Sequence, residues 1–366
     1  MEMSIAEIAD LVVKNNEINF VGFAITPWHL LGVESCISYL RNDVGLCINP
    51  GLVIMKHKQT GYALNENDIK DKQFSFVIKH NEIYTARKEI LRFFQYIRFF
   101  LSRKKTFDNI FIASPAKLHL MFGNEIFRKT NKRIKFIITD EGCAQHMGTL
   151  YNGGNVGKKI RIYRLINRFF NYIFLKRNNV LHHTLLLPSK KEKFIVNQQV
   201  ANSYLRIMKK KYSENIYSFN EKSVLLCTTA WQRNNILDDE DEVCLRKVVN
   251  LCKNAGYKIY LKTHPRDRYF EKIALDICDE LLETCVPIEV LYCQNKLPKI
   301  IISYSSTVLV TAKIFTKIQP ICLTSLLNRT KISSFYLNEI DAFKKAFDGF
   351  VYFPTNFDDV VANSHI

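Results

Sequence analysis

This sequence predicts an α/β fold built as two doubly wound, Rossmann-like domains facing each other across a cleft, and three observations carry that expectation. Apolar segments of strand length alternate with helix-length segments from residue 19 to residue 353. The alternation pauses over 189–220, a lysine- and asparagine-rich stretch with a helical middle, and then restarts. Several strands also end in polar residues, and the carboxyl ends of strands are where open α/β sheets bind ligands. The junction falls near 212–221, giving an N-terminal domain over 1–215 and a C-terminal domain over 216–366. A chain of 366 residues is long enough to bury two cores.

In chain order, 19–25 (NFVGFAI) reads as the first strand, and Thr26-Pro27 breaks it into a helix over 30–41, with Pro27 suited to a helix start. Strands follow at 52–55 and 74–78, a helix at 84–102, a strand at 109–113 and a helix at 116–128. The strand 133–139 runs into Asp140-Glu141-Gly142; a glycine-rich loop (Gly148, Gly153, Gly154, Gly157), a helix at 158–176 and a strand at 184–187 complete this half. The second half has a strand at 223–228 ending in Thr228-Thr229, a helix at 241–255, and a strand at 257–261 that leads into Lys262-Thr263-His264-Pro265-Arg266. A helix at 268–284, an apolar strand leading to Ser303, a helix at 308–315, a strand at 319–323, a helix at 337–347 and a strand at 349–353 close the chain.

Hydrophobic residues make up 47% and aromatic residues 12%, which excludes a disordered chain. The ten cysteines form no C-x-x-C pair and no regular framework, so they read as reduced thiols of a cytoplasmic protein rather than a disulfide scaffold or zinc site. The first thirteen residues lack a basic, then apolar, leader pattern, and no window approaches a membrane span. A formal charge of +17 calls for an anionic partner: nucleic acid, anionic lipid or an anionic small substrate.

Two strand ends in the second half suit a phosphate. Lys262 and Arg266 surround His264 with positive charge, and Pro265 sets the turn that aims the imidazole. Ser305, Ser306 and Thr307 occupy the cap and first turn of the following helix, where free N–H groups and the helix dipole favour an anion. Plain helix capping and a surface turn are the bland readings of the same residues. In the first half, Asp140 and Glu141 form a carboxylate pair at a strand end, able to take a proton from an acceptor hydroxyl. A base on one side and a phosphate site on the other is the layout of a transferase that moves a sugar from a nucleotide donor.

The trio Asp140-Glu141-Gly142, His264-Pro265 and Ser305-Ser306, together with the opening Ile25-Thr26-Pro27-Trp28-His29-Leu30-Leu31, resembles the bacterial sialyltransferases with D/E-D/E-G, HP and S/T-S/T motifs. That group includes lipooligosaccharide sialyltransferases, capsule polysialyltransferases and O-antigen sialyltransferases. The resemblance implies a GT-B fold, CMP-sialic acid as donor, an inverting transfer and no metal or other cofactor. It matches Asp140 to the catalytic base, with Glu141 the alternative, His264 to a CMP phosphate contact that assists departure, and Ser305 and Ser306 to further phosphate and nucleotide contacts. Lys262, Pro265 and Gly142 accompany them as donor-binding candidates, and Thr228, Thr229 and Thr26, at other strand ends facing the expected cleft, are weaker ones. The expected acceptor is a galactose-terminated lipooligosaccharide or O-antigen glycan, in α-2,3 linkage, with α-2,8 or α-2,6 products open.

Residues 87–105 and 158–177 combine aromatic and basic side chains at helical spacing, which fits docking on an anionic inner membrane face, or equally an aromatic face turned into the core. A CMP-Kdo transferase is a rival reading. A CDP-polyol phosphotransferase is less apt, because Ser303 stands where that type has an aspartate. An RNA-binding protein is disfavoured, because no RNP1-type run is present.

Overall fold

The computed structural model describes residues 5–15, 17–55, 64, 69, 73–80, 109–115, 133–140, 181–188, 194–212, 217–229, 235–264, 267–282 and 287–362. The expected helices at 84–102, 116–128 and 158–176, the basic aromatic runs and the glycine-rich loop lie outside the described residues. The chain divides into two compact units. One comprises Met1–Glu141, Asn155–Thr184 and Asn202–Ile207; the other comprises Gly142–Gly154, Leu185–Ala201 and Met208–Ile366.

The first unit is built on a parallel sheet of β1 (Phe20–Ala24), β2 (Pro50–Met55), β3 (Phe76–His80), β4 (Asn109–Pro115), β5 (Arg133–Thr139) and β6 (Leu181–His183), in the order β3-β2-β1-β4-β5-β6. Alternate residues of the strands feed two cores. Val21, Phe23, Val53 and Met55 pack with Ile8 and Val12 of α1 (Ile5–Lys14), while Phe20, Ala24, Leu52 and Ile54 pack with Leu30, Val33 and Ile37 of α2 (Pro27–Asn42). This two-sided burial makes the sheet doubly wound, and each fully buried aliphatic side chain contributes about 1.5–3 kcal/mol. Thr26 caps α2 by accepting from the His29 N–H at 3.3 Å, with Pro27 in the first turn.

An antiparallel ribbon of β7 (Leu186–Pro188) and β8 (Phe194–Val196) and the helix α3 (Gln198–Lys211) follow. The second unit has the parallel sheet β11-β10-β9-β12-β13, from β9 (Ser223–Cys227), β10 (Lys258–Lys262), β11 (Glu280–Leu281), β12 (Ile300–Ser303) and β13 (Ile321–Cys322). All four residues of β12 and all five of β9 are buried, as central parallel strands require. Val224, Leu226, Ile259 and Leu261 face Leu245, Val248 and Val249 of α4 (Glu240–Asn254). Gly256, at φ +80°, ends the turn after α4 in a backbone conformation that side-chain-bearing residues disfavour. The opposite face carries Leu225, Tyr260 and Ile301 against Leu309, Val310 and Ala312 of α8 (Thr307–Phe315) and Phe343 and Phe347 of α9 (Ser334–Phe347).

Several elements differ from the sequence reading. The expected helix 268–284 is two short helices, α5 (Arg268–Lys272) and α6 (Ala274–Ile277), followed by β11. Pairing with β10 overrides helix propensity there: Asp279 Oδ2 accepts from the Ile259 N–H at 2.7 Å, and the Leu282 N–H donates to the Leu261 carbonyl at 2.8 Å. The expected strand 319–323 shrinks to two residues, since Pro320 has no N–H to give the ladder and Leu323 enters a 3-10 turn. The expected strand 349–353 contributes only single bridges, Ile321 with Tyr352 and Asp348 with Val351. The expected strand 184–187 begins late, at β7 in the ribbon, because Thr184 and Leu185 link it to β6, which ends at His183 in the first sheet. Helix α1 and the short helices α7 (Ile288–Leu291) and α10 (Asp358–Ala362) were not anticipated. Among the described residues no helix is long and apolar enough to cross a membrane.

Candidate active site

In the second unit, β9, β10 and β12 end at one edge of the sheet, with Lys262 level with Cys227 and Ser303 also level with Cys227. Chain order reverses between β9 and β12, the switch point at which such sheets bind ligands. Just beyond the edge stand Thr228 and Thr229, Thr263 and His264, and Ser305 and Ser306. The structure therefore brings His264, Lys262, Thr228, Ser305 and Ser306 together on three adjacent strand ends.

His264 is pinned on both sides: its N–H donates to Thr228 Oγ1 at 2.9 Å, and its carbonyl accepts from the Asp267 N–H at 2.8 Å. Asp267 in turn caps α5 by accepting from the Phe270 N–H at 3.1 Å. Ser306 is the N-cap of α8 and accepts from the Val308 N–H at 3.4 Å, so Thr307 opens the helix. The Ser305 and Thr229 hydroxyls are buried; among the described residues Thr229 has no hydrogen-bond partner, and Ser305 has none beyond the weak Cys322 thiol. Leaving a buried hydroxyl unpaired costs about 1–3 kcal/mol, so this edge, beside a helix N-terminus, suits a ligand that supplies the partners. Ser303 is 2% exposed and donates to the Cys227 carbonyl at 2.8 Å, tying β12 to β9. A charged aspartate there would be buried inside the sheet, which weakens the CDP-polyol reading further.

Lys262 is buried, and a carboxylate that sequence reasoning missed, Glu289 on α7, lies within its field. Burial raises Glu289 to about 7, opposed by its own backbone, by the Thr311 hydroxyl that donates to it at 3.2 Å and by the charge of Lys262. A single charged residue inside Ile288-Glu289-Val290-Leu291 was the available signal, and it is a weak one. Asp239-Glu240-Asp241 spells a D-x-D, but it forms the acidic start of α4, and among the described residues no three His, Cys, Asp or Glu side chains are arranged to hold a metal ion.

In the first unit, Asp140 follows β5 directly and is 3% exposed. Thr139 pairs in register with Pro115 of β4 and His183 of β6, so Asp140 sits at the carboxyl edge of its sheet. Tyr204 of α3 donates its hydroxyl proton to Asp140 Oδ2 at 3.2 Å. The Tyr204 ring stacks on Trp28 (centroids 5.0 Å apart) and lies near-parallel to His183 (6.1 Å). His183 Nε2 and Ser35 Oγ share a hydrogen bond of 2.9 Å. Burial lowers His183 to about 3, against the opposing pull of Asp43, and lowers His29 to about 4, so both imidazoles are neutral. Glu141, Gly142, Pro265 and Arg266 lie outside the described residues.

Among solved structures, the UDP-GlcNAc 2-epimerase of Methanocaldococcus jannaschii is similar with a TM-score of 0.52 at 11% identity, over 95% of this chain and 91% of that one. The α/β-galactoside α-2,3-sialyltransferase of Photobacterium phosphoreum gives a TM-score of 0.48 at 12% identity, over 93% and 98%. No curated protein sequence matches the chain. Two parallel-sheet units of this kind make a GT-B-like α/β protein, a fold shared by enzymes of different chemistry. The chain belongs to the alpha-2,8-polysialyltransferase family (POLYST), whose pattern it matches over residues 21–324. It is a glycosyltransferase of the bacterial sialyltransferase group.

Proposed function

We propose that this glycosyltransferase moves sialic acid from CMP-sialic acid to a terminal galactose of a bacterial surface glycan, lipooligosaccharide or O-antigen, by a single inverting displacement in α-2,3 linkage. The observation that carries the donor assignment is the second unit's sheet edge, where the buried Ser305 and Thr229 hydroxyls, the N-terminus of α8 and the pinned His264 suit one phosphate. Asp140 takes the proton from the acceptor hydroxyl as its oxygen attacks the sugar. The bond to the phosphate oxygen breaks, and CMP leaves into contacts from His264, Ser305 and Ser306, which hold the negative charge as it develops. The transition state has oxocarbenium character, as in other glycosyl transfers. With one phosphate in the leaving group, these donors suffice and no divalent metal is required; addition of EDTA should leave the rate unchanged.

A second reading, α-2,8 transfer onto a sialic acid terminus, is favoured by the family to which the chain belongs. Incubation with CMP-sialic acid and either galactose- or sialic acid-terminated oligosaccharides, with released CMP and product linkage measured, separates the two. Release of CMP without a sialylated product from either acceptor class would count against both. The basic aromatic runs suggest peripheral attachment at the cytoplasmic face of the inner membrane; retention on anionic liposomes at low salt, and loss at high salt, checks it.

A further inference from the structure

Beyond the base itself, the first unit holds a residue that sequence reasoning passed over. One face of α2 presents Trp28, Gly32, Ser35 and Tyr39, spaced as successive turns of a helix require. Trp28 stacks on Tyr204, Ser35 bonds His183, and Tyr39 lies 5.5 Å from the His183 ring centroid. Gly32 is the position that leaves room for the phenol: a Cβ there would stand 2.8 Å from the Tyr204 hydroxyl oxygen and 3.4 Å from Thr139 Cβ. The Tyr204 ring is fully buried, flanked by an indole and an imidazole, with its hydroxyl directed at Asp140. Packing on both faces restricts the ring, so the donor has a fixed direction.

We propose that Tyr204 is a positioning residue for the transfer reaction, holding the Asp140 carboxylate in a set orientation toward the acceptor hydroxyl. The inference rests on Asp140 being the base. A general base must lie within hydrogen-bond reach of the proton it takes, and a donor of fixed direction holds the carboxylate there. Among the described residues, the other titratable groups near the pair have other partners or are neutral. His29 of α2 and His183 of β6 are neutral above about pH 5 because burial holds them at about 4 and about 3. Glu34 of α2 accepts from Gln73 Nε2 at 3.3 Å, and Asp43 pairs with Arg206 at 3.1 Å.

The test is kcat and acceptor KM for sialyl transfer, measured on the full chain for Tyr204→Phe, for Tyr204 replaced by a fluorinated tyrosine, and for Asp140→Asn. Phenylalanine keeps the stacked ring and removes only the donor; kcat should fall about tenfold with the acceptor KM unchanged. The fluorinated phenol keeps a donor of nearly the same shape and should keep the parent kcat; it also serves if the phenylalanine variant does not fold. Asp140→Asn should abolish transfer. If that variant stays active, the base assignment itself has failed. If it is inactive while Tyr204→Phe keeps the parent kcat, Tyr204 merely ties α3 to β5 and the proposal is overturned.

Discussion

At the carboxyl edge of the first unit's sheet, Asp140 receives a proton donor from a buried tyrosine and stands among neutral imidazoles and an indole. The same edge of the second unit's sheet carries threonine and serine hydroxyls, two of them buried, with a pinned histidine and a buried lysine. The two sheets share a winding pattern, β3-β2-β1-β4-β5 in one and β11-β10-β9-β12-β13 in the other. The difference between their edges shows how one scaffold serves two tasks. The first edge holds its carboxylate by a protein donor before substrate arrives, while the Thr139 hydroxyl, Trp28 Nε1 and His29 Nδ1 around it have no partner among the described residues; both edges therefore keep polar atoms that a ligand can complete, and what differs is the fixed carboxylate.

Substitutions sharpen that contrast, beginning with the largest effect. Asp140→Ala should reduce transfer about a thousandfold while CMP still protects the second unit from thermal unfolding; loss of both would mean that the two edges are not functionally separate. His264→Ala should reduce kcat about a hundredfold, checked by steady-state rates with a galactoside acceptor. Ser305→Ala removes a hydroxyl with no partner among the described residues beyond the weak Cys322 thiol, so it should leave the melting temperature nearly unchanged while weakening CMP binding about tenfold by calorimetry. A drop in stability with unchanged CMP affinity would show that this hydroxyl serves the fold instead.

The units should also differ in their response to pH. His29 and His183 have folded values below the ordinary 6.5, so the stability they hold above pH 6.5 is lost as pH falls toward about 4 and about 3; each accounts for about 3 kcal/mol by pH 4. Glu289 has the opposite sign. Its folded value is raised from 4.5 to about 7, so the unfolded chain loses the proton first and stability falls as pH rises through that window, by about 3 kcal/mol in all. Urea titrations between pH 4 and pH 8 should show the second slope in the parent chain and not in Glu289→Gln. An identical slope in both would remove Glu289 as its source.

Much of this was legible in one dimension. The run of Ile300, Ile301 and Ile302 before Ser303 announces a central parallel strand, and Thr26-Pro27 announces the start of α2, because burial pattern and capping chemistry are local. The strand-end placement of Asp140, His264, Ser305 and Ser306 is also legible, since each follows an apolar run; their roles in the reaction are proposed and do not follow from that placement. Helix α1 is not legible although Ile8 and Val12 belong to the core, and 268–284 reads as one helix, because pairing with β10 is a long-range contact.

What the residue order determined by itself is the alternation of strands and helices, the positive charge and the identity of the polar strand ends, all of which depend on neighbours a few positions apart. Only the tertiary structure decided that Tyr204, 64 residues from Asp140, donates to it, that His183 reaches Ser35 across 148 residues, and that Glu289 comes within the field of Lys262. Those pairings are set by sheet order and by which helix face is buried, and a buried polar group finds its partner wherever packing brings one, at whatever distance along the chain.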